Sequence, residues 1–231
     1  MHSRTRELRF PDAHLHHLGM AMAIFTVPDF IGIPRGQLLF TGVGKIGSIK
    51  SRGDRLAVCV FYPHRPGEPI DRAAVQHAFR DEGWEWPAIC GQIGDDFYGD
   101  ITCQIRGPIA REHVALVGDA GFCPSPLSGQ GTSLALCGAY CLAAELASSP
   151  VPLALARYQE RMLPFVQLNQ DVALKLARDA APTSRSALRM RTLAMRTLPY
   201  VPWAGLVMKL AMRGVRRAAH ALDLPRYQLA A

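Results

Sequence analysis

Asp119 stands in a run whose order is chemically specific: Val117-Gly118-Asp119-Ala120, five intervening residues, then Pro126-Leu127-Ser128-Gly129-Gln130-Gly131-Thr132-Ser133. A carboxylate at the C-terminal end of a strand lies where α/β sheets bind ligands, and it accepts hydrogen bonds from sugar or polyol hydroxyls. Gly118, having no side chain, lets a ligand come close to the backbone. Pro124 and Pro126 stiffen the loop and remove two backbone donors. Gly129-Gln130-Gly131 permits positive φ and leaves N–H groups exposed. Thr132 and Ser133 then open a helix, whose N-terminus carries free donors and partial positive charge. Such an end stabilises an anionic ring edge or an oxyanion. The chemistry implied is binding of a polyhydroxylated ligand with one electron-rich edge.

Other candidates carry less. His14, His16 and His17 cluster without a Cys or carboxylate pair placed to complete a metal site, so they read as the start of a strand, with a substrate contact from His14 or His17 as the alternative. Asp95 and Asp96 are adjacent, and neighbours on a strand face opposite ways, so a turn is the better reading than an acid/base pair. Gly42-Val43-Gly44-Lys45-Ile46-Gly47 spells G-x-G-x-x-G but lies between two short strand runs, and it reads as a hairpin. Trp84-Glu85-Trp86-Pro87 reads as helix or core packing. Phe97 and Tyr98 suit either a pocket or the core. No G-x-S-x-G elbow and no H-E-x-x-H is present.

The elements that must position these residues follow from periodicity. Ser3 caps a short helix over 3–8. Runs at 20–27, 37–43, 45–51 and 55–62, separated by Gly and Pro, predict an antiparallel sheet of about four strands, with a tight hairpin at Arg52-Gly53-Asp54. Helical spacing covers 71–82 and 84–92, and alternation returns over 100–105. Val114 to Val117 is a continuous apolar run, which predicts a strand buried on both faces between parallel neighbours. Helices are expected at 132–147, 151–180, 184–198 and 203–221. Strands followed by helices is an α+β order.

Composition narrows the class. The chain has 231 residues, 49% of them hydrophobic, and a net charge of +7. Residues 1–170 hold 15 Lys and Arg against 16 Asp and Glu, whereas residues 171–231 hold 11 against 3. The basic excess belongs to the tail. It reads as a solvated helix face, with nucleic acid or anionic lipid as the alternatives. No interleaved aromatics support a nucleic-acid groove, so none is expected. Six cysteines include no C-x-x-C pair, which predicts reduced thiols and a cytoplasmic protein. The charged start, MHSRTRELRF, has no signal-peptide core, and no run is long enough for a membrane span.

The two runs around Asp119 resemble the second FAD motif of flavin-dependent aromatic hydroxylases, the family typified by p-hydroxybenzoate hydroxylase. The resemblance implies that Asp119 binds ribityl hydroxyls of FAD. Backbone donors of Gly131, Thr132 and Ser133 would face the pyrimidine edge of the flavin, stabilising its reduced, anionic form. Gly118, Ala120, Pro126, Gly129 and Gln130 complete the implied cofactor set. Two departures show: Phe122 stands where the family usually has His, and Ser133 where it usually has Asn. Met1 to Arg6 also fits the x-x-S-x-x-R part of the family's D-G-x-x-S-x-x-R motif, which adds Arg6 to the set.

The resemblance implies an FAD-dependent monooxygenase. NAD(P)H would be the reductant, and O₂ would supply the oxygen inserted into an aromatic or polyketide-like small molecule. The cofactor carries that chemistry, so no catalytic side chain and no metal are expected. The implied fold is α+β, the C-terminal part of an FAD/NAD(P)-binding, p-hydroxybenzoate hydroxylase-like fold. Residues 1–12 would end a D-G motif and its helix, 13–105 form a substrate domain, 106–147 return to the FAD domain, and 148–231 form C-terminal helices. The family's pyrophosphate-binding G-x-G-x-x-G part would lie before Met1. The expected alternatives are a truncated or split-gene product without independent flavin binding or activity, completed by a missing N-terminal half as a separate chain, and a small-molecule binding module that reuses the sheet.

Overall fold

The computed structural model describes residues 2–33 and 36–224 and has an α+β architecture. These residues form two compact units, one from 2–18, 103–177 and 202–224, the other from 19–102 and 178–201. Two of the boundaries fall within strands, β1 (His14–Pro28) and β5 (Tyr98–Arg106), and a third near the end of the helix Val151–Ala180.

The second unit is built on an antiparallel meander. β2 (Gln37–Gly42) turns into β3 (Lys45–Arg52), and β3 turns at Gly53 into β4 (Arg55–Pro63). β4 then pairs with β1, giving the order β2-β3-β4-β1-β5. The expected four-stranded sheet is thus five-stranded, because the run near residue 100 joins it. Both hairpin readings hold. Gly42 faces Lys45 across the first turn with Gly44 at φ 70°, and Arg52 faces Arg55 across the second with Gly53 at φ 69°. Each positive φ suits a residue without Cβ.

Alternation decides which face is buried. Leu56, Val58, Val60 and Tyr62 of β4 and Ala21, Ala23, Phe25 and Val27 of β1 point into one core. That core is covered by α2 (Arg72–Phe79) and α3 (Trp86–Gly91). Asp71 caps α2 by accepting from the Ala74 N–H at 2.8 Å. Phe40, Phe79 and Trp86 meet in a cluster with centroids 4.8–6.1 Å apart, and Lys45 Nζ lies 5.5 Å from the Phe79 ring centre while bonding Glu82 at 2.7 Å. Trp86 is fully buried, whereas Trp84 is exposed and held at φ 60°. Gly44 N–H donates to Pro182 O at 2.8 Å, tying the segment before α7 (Arg185–Thr197) to the sheet.

The first unit holds α1 (Arg4–Arg9), a two-stranded ladder of β6 (Ala110–Arg111) and β7 (Val114–Ala115), and the helices α4 (Asp119–Phe122), α5 (Gly131–Ser148), α6 (Val151–Ala180), α8 (Ala204–Ala211) and α9 (Arg213–Ala219). Its core gathers Ile109, Phe122, Leu134, Cys141, Tyr158, Met162, Phe165 and Val166. The strand expected from Val114 is corrected here. It is not a long strand buried on both faces; only Val114 and Ala115 pair, antiparallel to Arg111 and Ala110, and both are half-buried. The reason is local. Glu112 takes φ 54° and folds the chain straight back on itself; the Leu116 N–H still donates to Ile109 O at 2.8 Å, but the Leu116 carbonyl accepts from the Tyr158 hydroxyl at 2.8 Å and the Ile109 N–H donates to Gln159 Oε1 at 2.9 Å, so the pairing stops there. The predicted last helix over 203–221 is likewise two helices, α8 and α9, which meet at Met212.

All six cysteines are free thiols. Burial pushes the Cys59 thiol up to about 11 and the Cys90 thiol up to about 12, so both stay protonated and unreactive at neutral pH. Among the described residues no helix is long and apolar enough to cross a membrane.

Gly47 tests the packing of the sheet on its helices. A Cβ there would lie 2.7 Å from the end of the Trp86 ring. Gly47→Ala is expected to cost about 1–3 kcal/mol of stability by overpacking, measured as a lower urea midpoint with an unchanged m value. An unchanged midpoint would show that Trp86 has room to yield.

Candidate functional site

The site begins where β7 releases the chain. Gly118 has φ 65° and ψ −147°, a conformation that side chains disfavour strongly. Its carbonyl accepts from the N–H groups of Gly121 and Phe122, both at 3.0 Å, and so starts the short helix α4. This turn projects Asp119 outward into solvent, while Gly118 itself is buried and Ala120 half-buried.

Arg6 reaches this turn from the far end of the sequence. It is 2% exposed, on α1, and its guanidinium donates to the Ala120 carbonyl at 3.1 Å. Ser3 caps α1 by accepting from the Arg6 N–H at 3.2 Å, so the two residues of the x-x-S-x-x-R match act together on one helix end. Sequence spacing could not show that they meet the Asp119 turn.

Two buried glutamines fix the loop after α4, and sequence reading missed both. The Gln104 side-chain amide donates to Gln170 O at 2.7 Å and to Pro124 O at 3.4 Å. The Gln170 amide returns to Ile105 O at 2.7 Å and Cys123 O at 3.3 Å. The loop is thereby held to both β5 and α6. The available signal was a polar residue on each apolar stretch, Gln104 in an alternating strand and Gln170 in a long helix. Ser125 and Ser128 were also missed. Ser125 takes φ 86°, and its hydroxyl accepts from Leu127 N–H at 3.3 Å; Ser128 Oγ donates to Ser125 O at 2.8 Å and accepts from Gln130 N–H at 3.0 Å. Gly129, at φ 64°, closes the 3₁₀ turn Pro126–Ser128.

The turn delivers the chain to α5 with Gln130 at the cap position, and no side chain caps that end. The first N–H groups of the helix therefore face outward with the positive end of its dipole. Asp119 sits across from them: its Oδ1 lies 3.6 Å from where a Gly131 Cβ would be. Together Asp119, Gly131, Thr132, Ala135 and Leu136 line an open cavity of about 420 Å³. Among the residues singled out from sequence, the structure thus brings Asp119, Gly131 and Thr132 to one cavity. Gly118, Gly129 and Gln130 shape the approaches to it. Arg6 supports Ala120 from behind, and Pro126 and Ser133 are exposed outside the lining.

This arrangement fits a flavin by donor set and shape. Asp119 offers acceptors for a hydroxylated chain, the open helix end offers donors for an anionic edge, and exposed Leu136 beside Ala135 offers an apolar shelf. Phe122, where the resembling family usually has His, is buried against Gly138 and faces the core, away from the cavity.

The remaining candidates separate. His14 and His16 are exposed on β1 and His17 is half-buried, and among the described residues no group of three potential ligands could hold a metal. Asp95 pairs with Arg72 at 2.8 Å. Asp96 instead accepts from the Thr26 hydroxyl at 2.5 Å and N–H at 3.1 Å, and the hydroxyl foremost holds its carboxyl below the usual range. The two carboxylates share no site. Phe97 packs on the core, and exposed Tyr98 bonds Asp100 at 2.9 Å.

Comparison with known proteins gives the same direction. No family model matches the chain. A flavin-dependent monooxygenase from an unknown prokaryotic organism is 32% identical, over 98% of this chain and 59% of its own length. A flavin-dependent monooxygenase from Legionella longbeachae is 35% identical, over 74% of this chain and 48% of its own. The solved structure of tetracycline destructase Tet(55) superposes with a TM-score of 0.81 at 30% identity, covering 98% of this chain and 60% of that one. Klebsiella pneumoniae HpxO, solved with FAD and uric acid, has a TM-score of 0.64 at 20% identity over 79% of this chain and 50% of its own, a likeness of fold. The chain spans about half to three-fifths of the length of these relatives.

Gly118 tests the turn that aims Asp119. Gly118→Ala is expected to cost about 1–3 kcal/mol through its backbone conformation, read as a lower melting temperature with native far-UV circular dichroism retained below it. A melting temperature equal to the parent's would show that the turn tolerates a side chain.

Proposed function

We propose that this chain, a relative of the flavin-dependent monooxygenases with the p-hydroxybenzoate hydroxylase-like fold, holds the flavin end of an FAD cofactor at the Asp119–Gly131 cavity. The observation that carries this is the uncapped N-terminus of α5 facing a carboxylate presented on a glycine turn. Asp119 accepts from ribityl hydroxyls, and the N–H groups of Gly131 and Thr132 meet the electron-rich edge of the ring. Ala135 and Leu136 exclude water from one side of it. When bound and reduced by NAD(P)H, FAD supplies the activation of O₂ for hydroxylation; the protein's part is to bind, orient and shield.

The substrate class in this reading is an aromatic or polyketide-like small molecule. Two structural neighbours carry such names, HpxO with uric acid and the anhydrotetracycline hydroxylase OxyS. The sheet of the second unit offers a cavity of about 330 Å³ with Leu39, Phe40, Ile46 and Phe61 in its lining and with Thr41, Ser48 and Arg191 as polar groups. Apolar walls with a few polar groups suit a planar molecule bearing hydroxyls or carbonyls.

Flavin titration tests the reading. The purified chain is expected to quench the fluorescence of riboflavin and FAD with similar affinity, since the only G-x-G-x-x-G spelling in the sequence forms a hairpin and contributes nothing to the pyrophosphate. A partner chain supplying such a turn would separate the two affinities. Asp119→Ala should weaken both by about tenfold or more, the worth of hydrogen bonds to a charged group. Absence of quenching, or equal affinity in the Asp119→Ala variant, would remove the proposal.

A further inference from the structure

We propose that α8 and the start of α9 form a surface that docks on an anionic lipid bilayer. The region begins at Trp203, whose carbonyl accepts from the N–H groups of Leu206 at 2.9 Å and Val207 at 3.1 Å. Trp203, Leu206, Val207 and Leu210 take the spacing i, i+3, i+4, i+7, which places them on one helical stripe. In a helix of a folded domain such a stripe normally faces the core. Here all four residues are between 41% and 62% exposed.

The segment that follows the stripe is anchored. In α9, Ala218 is buried and its carbonyl accepts from the side-chain amide of Asn169 on α6 at 3.3 Å. Arg161 of α6 donates to Asp223 O at 3.4 Å, just beyond α9. The end of the segment is thus anchored to α6, while α8 keeps its apolar residues in solvent.

Charge identifies the occupant. Within the first unit, residues 202–222 contain four Lys and Arg and no Asp or Glu. Lys209 on α8 and Arg213, Arg216 and Arg217 on α9 are all exposed. Two copies of this face would bring like charges together, which disfavours self-association. A nucleic acid would satisfy the cations and leave the apolar stripe uncovered. An anionic bilayer covers both at once: large apolar side chains enter the headgroup boundary, and Lys and Arg meet lipid phosphates. Trp is the residue type that favours this interface. With eight residues, α8 lies on the surface and does not span it.

Sedimentation with vesicles tests this. The full chain is expected to co-sediment with vesicles of equimolar phosphatidylcholine and phosphatidylglycerol, to stay in solution with phosphatidylcholine alone, and to be released by high salt. Leu206→Ser with Leu210→Ser should lower the partition coefficient at least about tenfold. Arg213→Gln with Arg216→Gln and Arg217→Gln should lower it and flatten its salt dependence. These side chains face solvent, so the melting temperature should not move and serves as the control for folding. No sedimentation with either vesicle would overturn the proposal, and so would equal sedimentation with both. Retention on duplex DNA without vesicle binding would also overturn it, as would a concentration-dependent dimer that Leu206→Ser dissolves.

Discussion

The hydrogen bonds that the buried Gln104 and Gln170 amides make to backbone carbonyls are the constraint on which the first unit's architecture depends. Both side chains are buried, and a buried amide left unpaired costs about 1–3 kcal/mol. Each amide therefore holds backbone carbonyls of another segment, and between them they join β5, the loop at Cys123–Pro124 and α6. Arg106 completes the arrangement by donating to Gln104 Oε1 at 2.7 and 3.1 Å. Without that lacing, nothing local would hold the loop between α4 and α5 in one position, because its own backbone is irregular.

The lacing supports a site made mostly of backbone. Gly118, Ser125 and Gly129 all take positive φ, and these three reversals set the direction of Asp119 and of the α5 N-terminus. Ser125 does so without being glycine, at a cost that its own capping bond and the bond from Ser128 offset. A site of this kind tolerates side-chain change where the backbone does the binding. Ser133 in place of Asn and Phe122 in place of His are changes of that sort, the first exposed beyond the cavity lining and the second turned into the core.

The second unit obeys a simpler rule. One face of its sheet meets α2 and α3 around Trp86, and period-two burial in β4 leaves the other face for different use. Lys45 bridges the two layers, bonding the Ala78 carbonyl and Glu82 from the first residue of β3. The same hairpin whose spelling imitates a dinucleotide turn thus serves as a structural corner, and the reason is context: strands on both sides, with no helix after them.

Much of this was legible in the residues themselves. Alternation and Gly/Pro punctuation located most of the strands and helices, because those patterns report burial by short-range geometry, but β1 starts at His14, well before the run at 20–27, and β6 and α4 carry no such pattern. The order of Gly118, Asp119, Gly129 and Gly131 announced a reversed backbone leading into an open helix N-terminus, because few other uses explain such spacing. Only the tertiary structure decided the meetings between distant segments. Arg6 lies 114 positions from Ala120, and Gln104 lies 66 from Gln170, so no local periodicity relates them. The shortening of the Val114 strand depended on a single residue, Glu112, taking a conformation its type does not announce. The sequence predicts one helix over 203–221; that Trp203, Leu206, Val207 and Leu210 face solvent is decided only by the tertiary structure, because periodicity defines a face and says nothing about what lies opposite.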